Sequence, residues 1–401
     1  MLLAFAPVLS RILADIKPRL RYPRTNDSSP CILTVRLAGI GRSSDDSSQS
    51  YSHPTSYNMP ARTSIKPIKP YSDPRVQHKT AVLNGQTYHY LFGRPYNGPV
   101  RGTIFLVHGW PDLAIGWRYQ IPFLLEMGFV VVAADMMGYG GTDAPKVPPN
   151  DIRLYSLKRA SDDLAELAKQ LGVKKLVLGG HDWGGMVVWR MVHFHPELVT
   201  HVFAICTPYA APQKEYASIE SLVDGVLPQF AYQIHLRSPE VEGKINTREQ
   251  IRHFIDGLYG ASGPNAELAF DPYKGVLFEN LPKLQRGPLL SDQELDYYTE
   301  QYSRTGLHGP VSWYRAREVN WEEEQILLKK PTVEVPTLFV QANRDSVLFP
   351  EMSRYMEKYL KDLTRGEVDA GHWVLIEKPD AVNALIKEWL EKVFLGGRST
   401  L

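Results

Sequence analysis

Apolar and polar positions change rhythm three times along the chain. Residues 1 to about 65 open with Leu2, Leu3, Phe5 and Leu9 among Arg11, Lys17, Arg19, Arg21 and Arg24, then pass into a Ser-rich stretch from Ser43 to Ser52. No core-forming period runs through them. From Lys79 the chain turns to short β-like runs at 80–83 and 87–92, separated by Asn84 and Gly85. That pair tolerates positive φ, so a hairpin is predicted. Continuous apolar runs of strand length follow at 103–107, 129–134, 175–178, 200–205 and 336–340. Unbroken runs mark strands buried on both faces, which implies a parallel sheet covered by helices. Two of the helices show their stripe directly. Leu157, Leu164, Leu167 and Leu171 share a face over 156–171, and Val382, Leu385, Ile386, Trp389, Leu390 and Val393 share one over 381–395.

Between about Pro208 and Trp321 the alternation stops, and aromatics, prolines and helical segments take over. The expected organisation is therefore an amino-terminal extension over 1–65, a first core part over 66–207, a helical cap over 208–321 and a second core part over 322–401. The cap would lie over the carboxyl ends of the strands, where ligands bind in open α/β sheets. The extension has few acids and many Arg and Ser residues, as a mitochondrial-type presequence does. Asp15, Asp27 and the weak amphipathic pattern favour a disordered extension, or a true start at Met59. A secretory signal does not fit, since the first residues lack a basic stretch.

Composition narrows the function. The chain has 401 residues, 43% hydrophobic and 22% charged, with a formal net charge of +1, so nothing draws it electrostatically to nucleic acid or an anionic membrane. Cys31 and Cys206 are the two cysteines, too few for a disulfide framework, and no metal-ligand spacing occurs. Cys206 closes an apolar run and is expected to be a buried small hydrophobe. No apolar run reaches the roughly 18 residues that a membrane span requires. A neutral small molecule suits this chain best.

The chemistry begins at residues 175–185, a buried strand leading into Gly179, Gly180, His181, Asp182, Trp183, Gly184 and Gly185 and then an apolar helix. Small residues around one central polar residue make a nucleophile elbow, in which the strand-to-helix turn pushes that residue out above the sheet. The fold class expected is thus the α/β-hydrolase fold, a mostly parallel central sheet flanked by helices, with an inserted helical cap. The central residue is Asp182, where esterases carry Ser. A carboxylate with a reference pKa of about 3.9 is ionised at neutral pH, so it attacks without losing a proton first. It suits displacement at a saturated carbon. The competing reading makes Asp182 a helix N-cap.

Two further segments complete the constellation. His108, Gly109, Trp110, Pro111 and Asp112 follow the first central strand, and in this fold the oxyanion hole takes one amide from such a loop, here Trp110, and one from the residue after the nucleophile, Trp183. Asp345 ends the strand predicted at 336–340, and His372 follows in the order nucleophile, acid, base. Asp345 would orient His372, which activates water. Asp369 is the rival acid by proximity.

These motifs resemble the epoxide hydrolases of the α/β-hydrolase superfamily, the soluble epoxide hydrolases above all, from about Arg75 to Leu395. In that family two cap tyrosines hold the epoxide oxygen. The segment 230–235 is similar to the one bearing the first, giving Tyr232, and 309–315 to the one bearing the second, giving Tyr314. His108, Pro111, Trp313 and Trp373 are expected to line the substrate. The resemblance implies an epoxide and water as substrates, no cofactor and no metal. It leaves a homodimer open, and a soluble cytoplasmic location is expected. Two alternatives compete: a haloalkane or haloacid dehalogenase using the same Asp182, and a non-catalytic receptor on the same fold.

Overall fold

The structure is a computed structural model that describes residues 65–395. The readings placed on 1–64, Cys31 and Met59 among them, and on 396–401 lie outside the described residues. Eight strands form one sheet: β1 (Gln77–Leu83), β2 (Gln86–Gly93), β3 (Gly102–Val107), β4 (Phe129–Ala134), β5 (Leu176–His181), β6 (Val199–Ile205), β7 (Thr337–Ala342) and β8 (Leu363–Val368). Their spatial order is β1-β2-β4-β3-β5-β6-β7-β8. The first two are an antiparallel hairpin in the register Leu83 to Gln86, turned by Asn84 at φ 46° and Gly85 at φ 88°. β2 also runs antiparallel to β4, and every pairing from β4 to β8 is parallel.

The apolar runs became the central strands because their Val, Ile, Leu, Phe and Ala positions are buried, and β4, β5 and β7 are buried at every position. β5 continues past the expected 178 through Gly179, where a side chain would meet the Phe203 ring at 2.1 Å. β8 has no apolar run to announce it, since at the sheet edge its positions alternate and several face water. Helices α1 (Leu157–Gln170) and α2 (Trp183–Phe194) pack together on the sheet, and the helix Pro379–Leu395 packs against β7 and β8. Ser156 caps α1 by accepting from the Arg159 amide.

Between β6 and β7 the chain is mainly helical. The segments that matter for the site are α3 (Ala231–Arg237), α4 (Arg248–Leu258), α5 (Asp292–Thr305), α6 (His308–Arg315) and α7 (Arg317–Glu324). α4 and α5 each start at a capping box, Thr247 with Gln250 and Ser291 with Glu294. α7 runs across the expected cap edge at 321. Polar anchors fasten this insertion to the core. The Tyr259 hydroxyl donates to Asp112 Oδ1 at 3.0 Å, Tyr298 donates to the same oxygen, and Tyr302 donates to the Asp112 carbonyl at 3.3 Å. Fully buried Arg118 pairs with Glu294 at 2.5 Å. Breaking one partner of such a pair costs far more than the pair contributes, so these contacts fix where the insertion sits.

The elbow depends on two glycines. A Cβ on Gly184 would stand 2.0 Å from the Val107 carbonyl oxygen, and one on Gly180 would stand 2.3 Å from the Gly184 carbonyl oxygen. Backbone cannot yield as a side-chain tip does. Gly184→Ala is therefore expected to destabilise the protein by about 1–3 kcal/mol. Gly243→Ala, in a helix with nothing near its Cβ, should be neutral or gain up to about 1 kcal/mol. Denaturant midpoints measured for both variants check this, and equal midpoints would contradict the steric account.

Candidate active site

Asp182 occupies the turn between β5 and α2 at φ 53°, ψ −122°, a conformation that L residues adopt only under constraint. Its backbone carbonyl accepts from Thr207 Oγ1 at 2.7 Å and from the Gly185 amide at 2.9 Å. The side chain does not cap α2, which removes the helix-cap reading. Instead Oδ1 accepts from the Trp110 amide at 2.7 Å, and the Trp183 amide lies near enough to the carboxylate to lower its pKa. Both amides expected of an oxyanion hole thus act on this group. The other oxygen, Oδ2, lies 3.7 Å from His372 Nε2.

His372 Nδ1 is held by Asp345 Oδ2 at 2.7 Å. Asp345 in turn accepts from the Val347 and Leu348 amides through Oδ1, at 2.9 and 3.0 Å. Asp369 is on the surface, 82% exposed and paired with Arg344, which excludes it as the acid. Electrostatics follows from this layout. Burial works against charge on His372, but the carboxylates of Asp345 and Asp182 outweigh it and push the imidazole up to about 9. Burial raises Asp182 above the ordinary carboxylate range, with His372 and the Trp110 and Trp183 amides pulling it back. Asp345 is also buried, yet His372 and the two loop amides hold it below that range.

Tyr232 on α3 and Tyr314 on α6 face each other across 5.9 Å, and the Tyr314 ring stands edge-on to Trp110 at 5.6 Å and Trp183 at 5.3 Å. Burial raises both phenols, and so does the Asp182 charge, so both stay protonated donors. The position of α6 is fixed by close approach. Gly138 at φ 90° and Gly309 touch backbone to backbone, and Trp313 Nε1 donates to the Met137 carbonyl at 2.9 Å.

Three residues expected to line the substrate direct their polar atoms to other partners. His108 is buried with both ring nitrogens engaged, Nδ1 with the Gly109 carbonyl and Nε2 accepting from the Met136 amide, so it braces the loop. Trp313 is buried beside Trp183 and serves as the α6 anchor. Trp373 stacks on Tyr259 at 3.9 Å and donates to the Leu258 carbonyl at 2.7 Å, tying α4 to the His372 loop. Pro111 is buried in the oxyanion loop, its carbonyl facing the Tyr259 hydroxyl at 3.3 Å. Sequence reasoning overlooked four supporting residues. Asp112 receives the cap tyrosines, Gln233 donates to the Tyr232 hydroxyl at 3.3 Å, Glu377 accepts from the Gly371 amide at 2.9 Å, and His181, held neutral by burial at about 3, contacts the His372 carbonyl at 2.9 Å. Asp112 and Gln233 directly follow residues singled out by motif, which is the signal that could have found them. Among the described residues, His181, Cys206 and His372 form the one group placed to share a cation. His372 in this group is already bonded through Nδ1 to Asp345. Cys206 is fully buried as expected, though at φ 66°.

Residues 102–240 match the α/β-hydrolase fold family. Over 336 residues the chain is 39% identical to epoxide hydrolase srdG of Neurospora crassa, which takes in 80% of this chain and 97% of the relative. The chain belongs to the epoxide hydrolases. The hydrolase is also 35% identical over 293 residues to bifunctional epoxide hydrolase 2 of Rattus norvegicus, covering 72% of this chain and 51% of that one, so it spans about half that relative's length. The crystal structure of epoxide hydrolase A from Mycobacterium thermoresistibile is 27% identical, with a TM-score of 0.64 over 79% of this chain and 98% of that chain. No described helix of the hydrolase is long and apolar enough to cross a membrane.

Because the Asp182 charge helps raise His372, removing it should lower the imidazole. In Asp182→Asn the His372 pKa is expected to fall below its wild-type value of about 9, while Asp369→Asn leaves it in place. Imidazole titration by NMR checks this. An unchanged His372 pKa in Asp182→Asn would contradict the coupling.

Proposed function

We propose that the hydrolase opens epoxides through a covalent ester on Asp182 and releases the vicinal diol by His372-assisted hydrolysis. The pairing of the carboxylate with a facing tyrosine pair carries this reading. Oδ1 is engaged by the Trp110 amide, so Oδ2, on the His372 side, is the oxygen that attacks an epoxide carbon. As the C–O bond breaks, Tyr232 and Tyr314 donate to the developing alkoxide, and one of them supplies the proton. Gln233 directs an N–H at the Tyr232 oxygen, which leaves that phenol proton free to point at substrate.

The ester then carries its carbonyl oxygen in the amide pair, where the tetrahedral intermediate gains its negative charge. Alkylation also removes the Asp182 charge. His372 loses one of the two carboxylates that kept it protonated, and becomes a base when a water must be activated. Asp345 holds the ring for that step. Attack on the ester carbon regenerates the Asp182 carboxylate and gives the diol.

A dehalogenase with the same nucleophile expels an anion that needs no proton. The tyrosine pair has no task in such a reaction, which favours the epoxide. Tyr314→Phe is expected to slow ring opening by about 10²-fold, as loss of a general acid does, with little change in substrate affinity. Stopped-flow measurement of alkylation, followed through tryptophan fluorescence, checks this. If alkylation kept its rate and only ester hydrolysis slowed, Tyr314 would not be the acid.

A further inference from the structure

The two facing tyrosines sit on different helices, and those helices are held in different ways. α6 is fastened to the α/β core by the contact of Gly138 with Gly309 and by the Trp313 bond to Met137. The bonds of α3 run to other parts of the insertion. Its Tyr232 amide donates to the Pro272 carbonyl at 3.0 Å, and Arg237 in its last turn pairs with Glu220. Keeping the Tyr232 phenol opposite Tyr314 therefore calls for a link from α3 to the anchored α6.

Arg315, next in the chain after Tyr314, provides that link. From the last position of α6 its Nε donates to the Arg237 carbonyl at 2.9 Å and its Nη2 to the Ser238 carbonyl at 3.2 Å, at the end of α3. A helix leaves its final carbonyls without intrahelical partners, and a planar fork of donors satisfies two of them in one fixed geometry. The guanidinium is itself held. Nη2 also donates to Glu242 Oε1 at 2.7 Å, and Glu242 Oε2 accepts from His308 Nδ1 at 2.6 Å. His308 opens α6, and its Nε2 accepts from the Val147 amide at 2.9 Å, which places the imidazole proton on Nδ1. Glu242 thus grips α6 at both ends. The Arg315 and Glu242 side chains are only 19% and 21% exposed, so water screens their charge-assisted bond little.

We infer that Arg315 is a positioning residue for ring opening: by tying the residue after Tyr314 to the end of α3, it holds the Tyr232 phenol where both hydroxyls reach one epoxide oxygen. The inference rests on the epoxide reading, in which the two phenols donate to the developing alkoxide. Arg315 touches no reacting atom, since its donors are spent on Glu242 and the α3 carbonyls. Its effect is transmitted through geometry alone. A misplacement of about 1 Å in a catalytic group can slow a reaction by about 10²-fold. Ester hydrolysis uses Asp182, Asp345, His372 and the two amides, all carried by the core, and does not depend on where α3 sits.

Single turnovers of styrene oxide by the full chain, followed through tryptophan fluorescence, separate alkylation from ester hydrolysis. In Arg315→Gln alkylation is expected to slow by about tenfold or more, while ester hydrolysis changes by less than about twofold. First-order constants do not depend on the folded fraction, so a less stable variant loses amplitude and not rate. Glu242→Gln, which loosens the guanidinium without removing it, should show the same pattern to a smaller degree. In a Tyr232→Phe background the phenol that Arg315 positions is gone, and adding Arg315→Gln should slow alkylation by less than about twofold further. The inference is overturned if Arg315→Gln slows both steps alike, leaves alkylation unchanged, or slows it by the same factor with and without the Tyr232 hydroxyl. Alkylation insensitive to Tyr232→Phe alone would instead overturn the reading of the phenol pair.

Discussion

Everything in the catalytic layout hangs on the backbone of Asp182, held at φ 53° by glycines that leave no room for a side chain beside it. Such a conformation costs of the order of 1–3 kcal/mol, and the surrounding parallel strands supply the constraint. Its effect is to aim the carboxylate away from the helix it precedes and into the amide pair of Trp110 and Trp183. That choice divides the two oxygens between different tasks. Oδ1 takes the Trp110 amide, and Oδ2 is left on the His372 side, free to meet substrate in the proposed mechanism.

The same charge sets the order of the two half-reactions. While Asp182 is ionised, His372 is held protonated and cannot act as base prematurely. Forming the ester removes that hold. The strain at the elbow, the amide pair and the shifted imidazole are therefore linked through one carboxylate, with Asp345 as the fixed reference because its loop amides and His372 keep it ionised. The helical insertion must then meet the carboxylate from above within hydrogen-bond accuracy. It does so through buried polar anchors. Asp112 receives three tyrosines, Trp313 bonds the core backbone, and Gly138 meets Gly309 directly.

What could be read from the sequence follows a physical division. Strands buried on both faces carry unbroken apolar runs, so the sheet centre was legible, as were the elbow and the order Asp182, Asp345, His372. β8 was not, because an edge strand with water on one side carries no such run. Chemical roles carried by residue type were readable, whereas those set by direction were not. His108, Trp313 and Trp373 sit in or beside the right motifs, but their polar atoms turn to backbone carbonyls and amides, and only coordinates reveal that.

The central claim is that Asp182 attacks the epoxide carbon and that water later attacks the Asp182 ester. A single turnover with enzyme in excess, run in water labelled with heavy oxygen, tests it most directly. The account predicts that the first diol contains no label and that one labelled oxygen is found in the peptide containing Asp182. Label in that first diol, with none in the peptide, would mean that water opens the ring directly, and Asp182 would then be a base and not a nucleophile.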